Sequence, residues 1–538
     1  LTRYFKVDDF RLNALKLTCA AGDLDESLAP LLVEMLRLPP GAVEEYRILN
    51  KSVDARRGRP EIVYSLLVGV SRGQNSLTKF QEVGPEELAA FAAPGLPEFF
   101  RPDLRHVVVV GTGPAGLFAA YRLALAGCEP IVLDRGFEVE RRRRDIEAFE
   151  RSRNLNCDSN YLIGEGGAGT FSDGKLYTRI RDPRAAFVLQ EMINAGAPAE
   201  IAYLKRPHIG SDRLPLVVAG LRRAIIAGGG SFRFGCGVEE VVIRSGRCLG
   251  VKVAGGETIT APAVLIAPGL GGRPLIQRLV DCGVEHQLKP FQIGCRIEHE
   301  QSFIDHRQYH VTPRPAVLGA AEYNMVCRPG GGGRTGGVST FCMCPGGEIV
   351  FASATCGRLS TNGMSNYRRD GRYANSCLIV TSEADRFASA ADAFAYLADL
   401  EGRAFEAGGG DCTFPAQDAA AFLQGTVRLK SPDSSTAFGL RPAAVDRLLP
   451  DWVTRPLRGG LRHFDRLMPG FVDGGKLIGI ESFVSSPVRF RRDPETLASS
   501  VSGLYIAGEG AGMAGGIISA AVDGLKCAEA LLRHYAIS

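Results

Sequence analysis

The chain has a single tryptophan, Trp452, in 538 residues, so no function that needs paired indoles can reside in it. It also has little net charge. Lys+Arg 63 against Asp+Glu 59 gives +4, too small a bias for a nucleic-acid or anionic-membrane surface. No apolar run approaches the roughly 18 residues of a membrane span. The opening LTRYFKVDDF lacks the apolar core of a signal peptide, and because the chain begins at Leu1 rather than Met a clipped leader is compatible with it. The 14 cysteines are scattered singly from Cys19 to Cys527 without a CxxC pair, the pattern of reduced thiols in a cytosolic protein. The eight histidines form no HExxH, and no GxSxG stands where a strand turns into a helix, which argues against a zincin or a Ser-His-Asp hydrolase. Internal repeats and low-complexity tracts are missing too. What is there is an ordinary globular mixture, 45% hydrophobic and 23% charged, with an excess of glycine at 65 residues. At roughly 150 residues per domain, the length suggests three to four domains or two large ones.

Residues 1–100 read as a small α+β unit. Arg11 to Leu17 is strand-like, and Ser27 to Leu38 has helical spacing with Ser27 as N-cap, stopped by Pro39-Pro40. Strands follow around Glu45–Val53 and Glu61–Val70, and APGLPEFFRPDLR at 93–105 reads as a linker. The run Arg141–Arg144 is flanked by acids at helical spacing, which reads as a solvated helix face rather than a phosphate patch.

His106–Val110 is a short β-branched run, the mark of a buried parallel strand. It feeds into Gly111-Thr-Gly113-Pro114-Ala115-Gly116, then a helical stretch to Gly127, then a strand Pro130–Leu133 ending in Asp134. Strand, glycine loop, helix, strand and acid together make a dinucleotide fold. Gly111 permits the tight turn, Gly113 the approach of a pyrophosphate, and Gly116 close helix packing. The pyrophosphate would rest on the helix N-terminus, where free N–H groups and the dipole favour negative charge. Asp134 would accept from the adenosine ribose. Ser231–Val238, Cys248–Val253 and Thr260–Gly269 read as further strands. Near the end, Val501–Glu509 is a strand closing on an acid, followed by Gly510–Gly516 and a small-residue helix at Ile517–Gly524. Glu509 suits a ribityl hydroxyl, and a helix start at Gly515-Gly516 suits the flavin N1/C2=O edge. The two ends together favour FAD over NAD.

At this point the chain resembles a known group. GTGPAG (111–116), VLDRG (132–136), VLIAPG (264–269) and LYIAGE (504–509) resemble the flavoprotein superfamily of geranylgeranyl reductase and para-hydroxybenzoate hydroxylase. KSVDAR (51–56), GEGGAGTFSDGKL (164–176), KRPHIGSDRL (205–214), FCMCPGG (341–347), NGMSNYRRD (362–370), SSPVR (485–489) and AGEGAGMAGGIISAAVDG (507–524) more closely resemble bacterial FAD-dependent dehydrogenases of unassigned substrate. The resemblance implies an α/β fold: a Rossmann-like FAD-binding domain built from separated segments, an inserted α+β substrate domain and a small N-terminal α+β domain. The boundaries expected are 1–100, 101–275 for the first FAD segments, 276–475 for the substrate domain and 476–538 for the last FAD segment. Three places depart from the family pattern. Leu270 and Gly271 replace a His-Ser pair, Phe483 and Val484 replace Arg and Thr, and Thr355-Cys356 replaces Ser-Glu. If these line the pocket, the substrate is less anionic and more aromatic or apolar than the family's usual one, as a paralogue from a specialised biosynthetic pathway would require.

The expected cofactor residues are Gly111, Gly113, Pro114, Ala115, Gly116, Asp134, Arg135, Gly166, Gly167, Thr170, Val238, Ala267, Gly269, Gly508, Glu509, Gly515, Gly516 and Ile517. Gly166, Gly167 and Thr170 come from GEGGAGT at 164–170, which in the superfamily runs beside the flavin; the plain alternative is a surface loop. His208, Glu481, Arg489 and Lys175 are the catalytic candidates. Cys342, Cys344, Cys356 and Cys377 could be imagined as a metal or redox cluster, but buried strand cysteines are the commoner reading, and no metal is expected. His299, His306 and His310 read as core or solvated side chains. The CxxxxC of flavin disulfide reductases is missing near the first motif, and a lone tryptophan excludes the paired signature of flavin halogenases.

The reading is a cytoplasmic FAD-dependent oxidoreductase in which a small organic substrate exchanges hydride with flavin N5 and a proton goes to a nearby base. No second nucleotide fingerprint is visible, and NAD(P)H remains an open co-substrate. A single-component monooxygenase using NAD(P)H and oxygen is the rival enzyme, and a non-catalytic FAD-binding regulator, with residues 1–100 as a docking module, is the third reading. Neither nucleic acid nor membrane is an expected partner, and the oligomeric state stays open.

Overall fold

The computed structural model describes residues 2–17, 21–56, 58–71, 77, 79–90, 95–328 and 336–535. Positions 93–94 of the expected linker, and Cys19, lie outside them. The N-terminal unit is a four-stranded sheet ordered Val43–Asp54, Glu61–Val70, Arg3–Asn13, Gln81–Val83, with the helix Leu28–Leu36 against it. Its core is Phe5, Val7, Phe10 and Leu12 against Ile62, Tyr64, Leu66 and Val68, with Leu28, Leu32 and Leu36 above. Each such buried side chain contributes about 1.5–3 kcal/mol. The first strand starts at Arg3, well before the expected Arg11, and ends before Leu17. A bulge between Val7 and Phe10, with Asp9 at φ 58°, breaks the alternation and hides the strand's period. Ser27 stands at the N-cap position of its helix, but its side chain makes no capping bond: a short helix Ala21–Glu26 precedes it, and the Ser27 hydroxyl donates back to the Asp23 carbonyl.

A five-stranded, wholly parallel sheet follows, ordered Leu504–Ile506, Val264–Ile266, Val108–Val110, Ile131–Leu133, Ser231–Arg233. Its central strands are buried on both faces, which explains their unbroken apolar runs. The helices Pro114–Leu125 and Ile517–His534 pack together over it, and a Cβ at Gly524 would lie 2.0 Å from the Ala115 carbonyl oxygen. The last helix thus runs ten residues beyond the expected Gly524. The stretch expected as one strand, Thr260–Gly269, is two. Thr258–Thr260 joins an antiparallel sheet with Arg247–Val253 and Val238–Arg244, Pro262 intervenes, and Val264–Ile266 enters the parallel sheet. Residues 95–105 form an irregular strap, tied down where Arg101 donates to the carbonyls of Leu532 (3.0 Å) and Tyr535 (2.7 Å).

The third layer is a seven-stranded sheet ordered Val326–Cys327, Val338–Cys344, Tyr373–Thr381, Gln292–Glu300, Lys476–Glu481, Phe414–Asp418, Leu440–Pro442. Lys476–Glu481 lies inside it, between Gln292–Glu300 and Phe414–Asp418, so the boundary expected at 475/476 cuts through this sheet. The chain enters and leaves through the two-stranded ribbon of His286–Leu288 and Val488–Phe490. No helix among the described residues is long and apolar enough to cross a membrane.

Candidate functional site

A cavity of about 1340 Å³ runs from the glycine loop of the parallel sheet to the face of the seven-stranded sheet. At its first end, Gly111 has φ +94°, and a Cβ there would lie 2.3 Å from the Ala267 carbonyl oxygen. A Cβ on Gly116 would lie 1.8 Å from the Gly111 oxygen, so this glycine serves helix packing and does not line the cavity. Gly113 is different, because the place of its missing Cβ is open space on the cavity wall. Pro114 at the first helical position supplies no N–H and needs none. Asp134 is 8% exposed. Its Oδ2 accepts from the Thr112 N–H at 2.9 Å and from the Thr112 hydroxyl, and its Oδ1 accepts from the Gly136 N–H at 2.7 Å. A carboxylate has about four acceptor positions, so one stays available on Oδ1. Arg135 pairs with Asp158 beside it on the rim.

The loop at 164–170 closes over this end and is held from behind. Arg142, expected among solvated arginines, is fully buried, while Arg141, Arg143 and Arg144 are exposed. Its guanidinium donates to the carbonyls of Asn160 (2.8 Å), Gly164 (3.3 Å), Glu165 (2.8 Å) and Gly167 (2.8 Å). Burial lowers it to about 10, with Asp134 and Glu165 opposing the shift. Glu165 accepts from the Val139 N–H at 2.8 Å, and burial pushes its carboxyl up to about 7. Gly164 and Gly167 line the cavity, whereas Gly166 and Thr170 face inward. A Cβ at Gly166 would lie 1.9 Å from the Thr170 hydroxyl, which itself donates to the Glu165 carbonyl at 3.1 Å.

At the cavity's middle, Val238, Ala267, Gly269, Gly508, Glu509, Gly515, Gly516 and Ile517 all contribute to the wall. The Gly508 N–H donates to Asp523 at 2.8 Å, and Arg492 pairs with the same carboxylate at 2.9 Å, fixing the turn. Burial pushes the Glu509 carboxyl up to about 7 against the pull of Lys289. The helix Ile517–His534 starts here, with open space beside Gly515.

The far end is built by groups distant in sequence. Lys175 donates to Asp173 and to the Met343 carbonyl. Arg369 holds the same Asp173 through two donors, at 2.8 Å and 2.5 Å. Burial opposes both charges, yet the pairing wins: Lys175 is held above its ordinary value and Asp173 below its own. On the other side, Arg296 is bidentate to Glu481 at 2.7 and 3.0 Å and donates to the Cys342 carbonyl at 3.2 Å. Two cations, Lys175 half-buried and Arg296 buried, thereby grip adjacent carbonyls of one bulge, where Cys342 takes φ 45° and the register slips between Phe341 and Cys344. The Cys342 side chain is exposed to the cavity though enclosed by protein; burial pushes its thiol up to about 12 against the pull of Lys175. Tyr323, 5% exposed, lines the same wall, with Ser376 beside its hydroxyl. Phe341, Phe483 and Val484 add apolar surface.

Of the catalytic candidates, Lys175 and Glu481 reach the cavity and His208 and Arg489 do not. His208 lies behind, its Nε2 2.9 Å from the Tyr367 carbonyl and its ring stacked on Tyr367. Burial brings it down to about 4. Its backbone pairs with Lys175, so the segment shapes the cavity without presenting the imidazole to it. Arg489 is exposed on the connecting ribbon. Leu270, Gly271, Phe483 and Val484 line the cavity, and Thr355 and Cys356 do not. Among the described residues, no group of three or more His, Cys, Asp or Glu could hold a metal. Sequence reasoning missed Arg142, Arg296, Tyr323 and Arg369. Only Arg369 carried a signal, as part of NGMSNYRRD.

Residues 290–483 match the family model described as "FAD-dependent protein, C-terminal domain-like". A Clostridium beijerinckii protein described as uncharacterized is 37% identical over 550 positions, covering 98% of this chain and 99% of that one. The chain belongs to the same family as this protein, and its residues 290–483 carry the match to the FAD-dependent description. A hydroxyneurosporene desaturase of Rubrivivax gelatinosus is 47% identical over 49 residues, 8% of this chain and 9% of that one. Among solved structures, the flavin-dependent brominase Bmp2 is 12% identical with a TM-score of 0.37, over 81% of this chain and 80% of that one. The Bacillus halodurans glycerol-3-phosphate dehydrogenase complexed with FAD is 10% identical with a TM-score of 0.37, over 81% and 65%.

The flavoprotein's residues fit the cofactor. Gly113 leaves a cradle that a Cβ would fill, Asp134 keeps an acceptor position for a ribose hydroxyl, and the cavity continues past Glu509 to the start of the last helix.

Proposed function

We propose that this flavoprotein is an oxidoreductase that exchanges hydride between FAD and a small organic substrate bound against the seven-stranded sheet. One observation carries the reading: a single cavity joins the glycine loop to the wall of Lys175, Cys342, Tyr323 and Glu481. Bound FAD supplies a two-electron hydride acceptor or donor at N5. The first-turn N–H groups of the helix Pro114–Leu125 would hold the pyrophosphate, Asp134 the ribose and Glu509 a ribityl hydroxyl. The N-terminus of the helix Ile517–His534 places the positive end of its dipole beside Gly515 and Gly516, where it favours negative charge.

At the substrate end, Lys175 offers a fixed positive charge to an electron-rich substrate oxygen, and Tyr323 presents its phenol on the same wall. Glu481 is tied to Arg296 and acts as a spacer of charge rather than a free base. Phe341, Phe483 and Val484 support a substrate with an apolar or aromatic body, the chemistry of a specialised biosynthetic step. The scattered single cysteines support a cytoplasmic setting.

The test is anaerobic mixing of the purified yellow protein with NADH and then NADPH, following the flavin band. Rapid bleaching makes NAD(P)H the electron donor, and an oxygenated product after air is admitted moves the assignment to a monooxygenase. No bleaching leaves a dehydrogenase that takes its electrons from the organic substrate. A colourless protein that takes up no FAD overturns the proposal.

A further inference from the structure

Cys157 and Cys356 lie 199 residues apart in the chain, yet their Sγ atoms are 3.3 Å from one another. Cys157 is half-buried in the irregular segment after the helix Val139–Ser152, and Cys356 is exposed in the loop between Gly347–Phe351 and Thr361–Ser365. One therefore belongs to the nucleotide domain and the other to the region matched by the family model. A disulfide bond is about 2.05 Å long, so closure needs an approach of only about 1.3 Å between the sulfurs. The next residue, Asp158, lines the cavity and pairs with Arg135 at the ribose end.

We propose that Cys157 and Cys356 form a reversible disulfide that staples the substrate domain to the loop carrying Asp158, at the adenosine end of the cavity. The oxidant is a small-molecule disulfide of the glutathione class. The exposed Cys356 thiolate attacks one of its sulfurs, forming a mixed disulfide and expelling one small thiolate. The Cys157 thiolate then attacks the Cys356 sulfur, and the second small thiolate leaves. Two protein thiols lose two electrons and two protons, and one small disulfide becomes two thiols. Burial and the neighbouring thiol push Cys157 up, so the second step quickens as pH rises.

The FAD-loaded full chain is incubated with oxidised glutathione, alkylated without denaturation and mapped as non-reduced peptides. A Cys157–Cys356 cross-linked peptide, reversed by dithiothreitol, is the expected result. Cys157→Ser should instead trap glutathione on Cys356. Unchanged free thiols, or a link from Cys356 to the nearby Cys412, overturn the proposal. This arm is independent of any catalytic activity. A second arm rests on the FAD reading: the oxidised protein should release FAD several-fold more slowly than the reduced one. A cross-link that forms and leaves release unchanged overturns the link to the cofactor cavity.

Discussion

The guanidinium of Arg296 binds both oxygens of Glu481, at 2.7 and 3.0 Å, while a third hydrogen bond at 3.2 Å reaches the Cys342 carbonyl. Both side chains are buried, Arg296 at 0% and Glu481 at 3% exposure. Two charges are thus held out of water, on neighbouring strands, to fix the geometry of one bulge. A buried pair of this kind is weak evidence for stability and better evidence for a specified shape.

Removing one partner should therefore cost more than removing both. Glu481→Ala leaves an uncompensated guanidinium and should lower stability by about 3–5 kcal/mol. The Arg296→Met/Glu481→Leu double variant should recover only part of that loss, because Asn375 and Asn362 lose the donors that Arg296 gives them at 2.7 and 3.0 Å. Urea unfolding of the FAD-free proteins checks it, and a double variant no more stable than the single one contradicts it.

The three glycines of the nucleotide loop should fail in two ways. Gly111→Ala and Gly116→Ala place a Cβ 2.3 Å and 1.8 Å from backbone oxygens, so both should destabilise the protein and lose FAD. Gly113→Ala meets nothing within 4 Å in the protein and fills only the cradle. That variant should keep the apoprotein's melting temperature and bind FAD at least tenfold more weakly. Differential scanning fluorimetry with FAD titration separates the two behaviours.

Arg142→Met should loosen the 164–170 loop. It removes a donor from four backbone carbonyls; those of Gly164, Glu165 and Gly167 keep a second donor from Gly167 or Thr170, so the main loss is at the Asn160 carbonyl, where an unpaired buried acceptor costs about 1–3 kcal/mol, less where water enters. FAD content after gel filtration and hydrogen exchange at residues 160–170 are the readouts. The neighbouring Arg143→Met, on an exposed position, should change neither.

The nucleotide half of the site was legible because its pattern is local. Strand, glycine loop, helix and Asp134 all fall between Val108 and Asp134, and each residue type has a steric or electrostatic reason at that spacing. The substrate half was only partly so. Lys175 and Glu481, named from the sequence, line the cavity, but Arg296, Tyr323 and Arg369 join them from segments far apart in the chain. Arg142 was hidden by its neighbours, since four consecutive arginines on a helix give no sign of which one points inward. The boundary at 475/476 failed for a related reason. An apolar strand such as Lys476–Glu481 suits the middle of either sheet, and only its register against Gln292–Glu300 decides.

The last prediction concerns acidity at Glu509. Its carboxyl is raised from 4.5 to about 7 by burial, with Lys289 pulling the other way. A folded state that holds its proton more tightly than the unfolded chain loses stability as pH rises between those two values. Below about pH 4.5 both states are protonated and burial costs nothing on this account; above about pH 7 the full cost is present, on the order of 3 kcal/mol from the shift. Glu165 is raised to about 7 by the same cause, while His208 and His299, brought down to about 4 by burial, act with the opposite sign, so the wild-type slope contains all four groups. Glu509→Gln removes one of them. The FAD-free variant should therefore be more stable than wild type at pH 8, by up to about 3 kcal/mol, and should converge on it at pH 4.5. Urea midpoints measured across that range read the difference directly. A constant offset at all pH values would mean that the Glu509 carboxyl is ionised in the folded protein throughout, reached by water from the cavity.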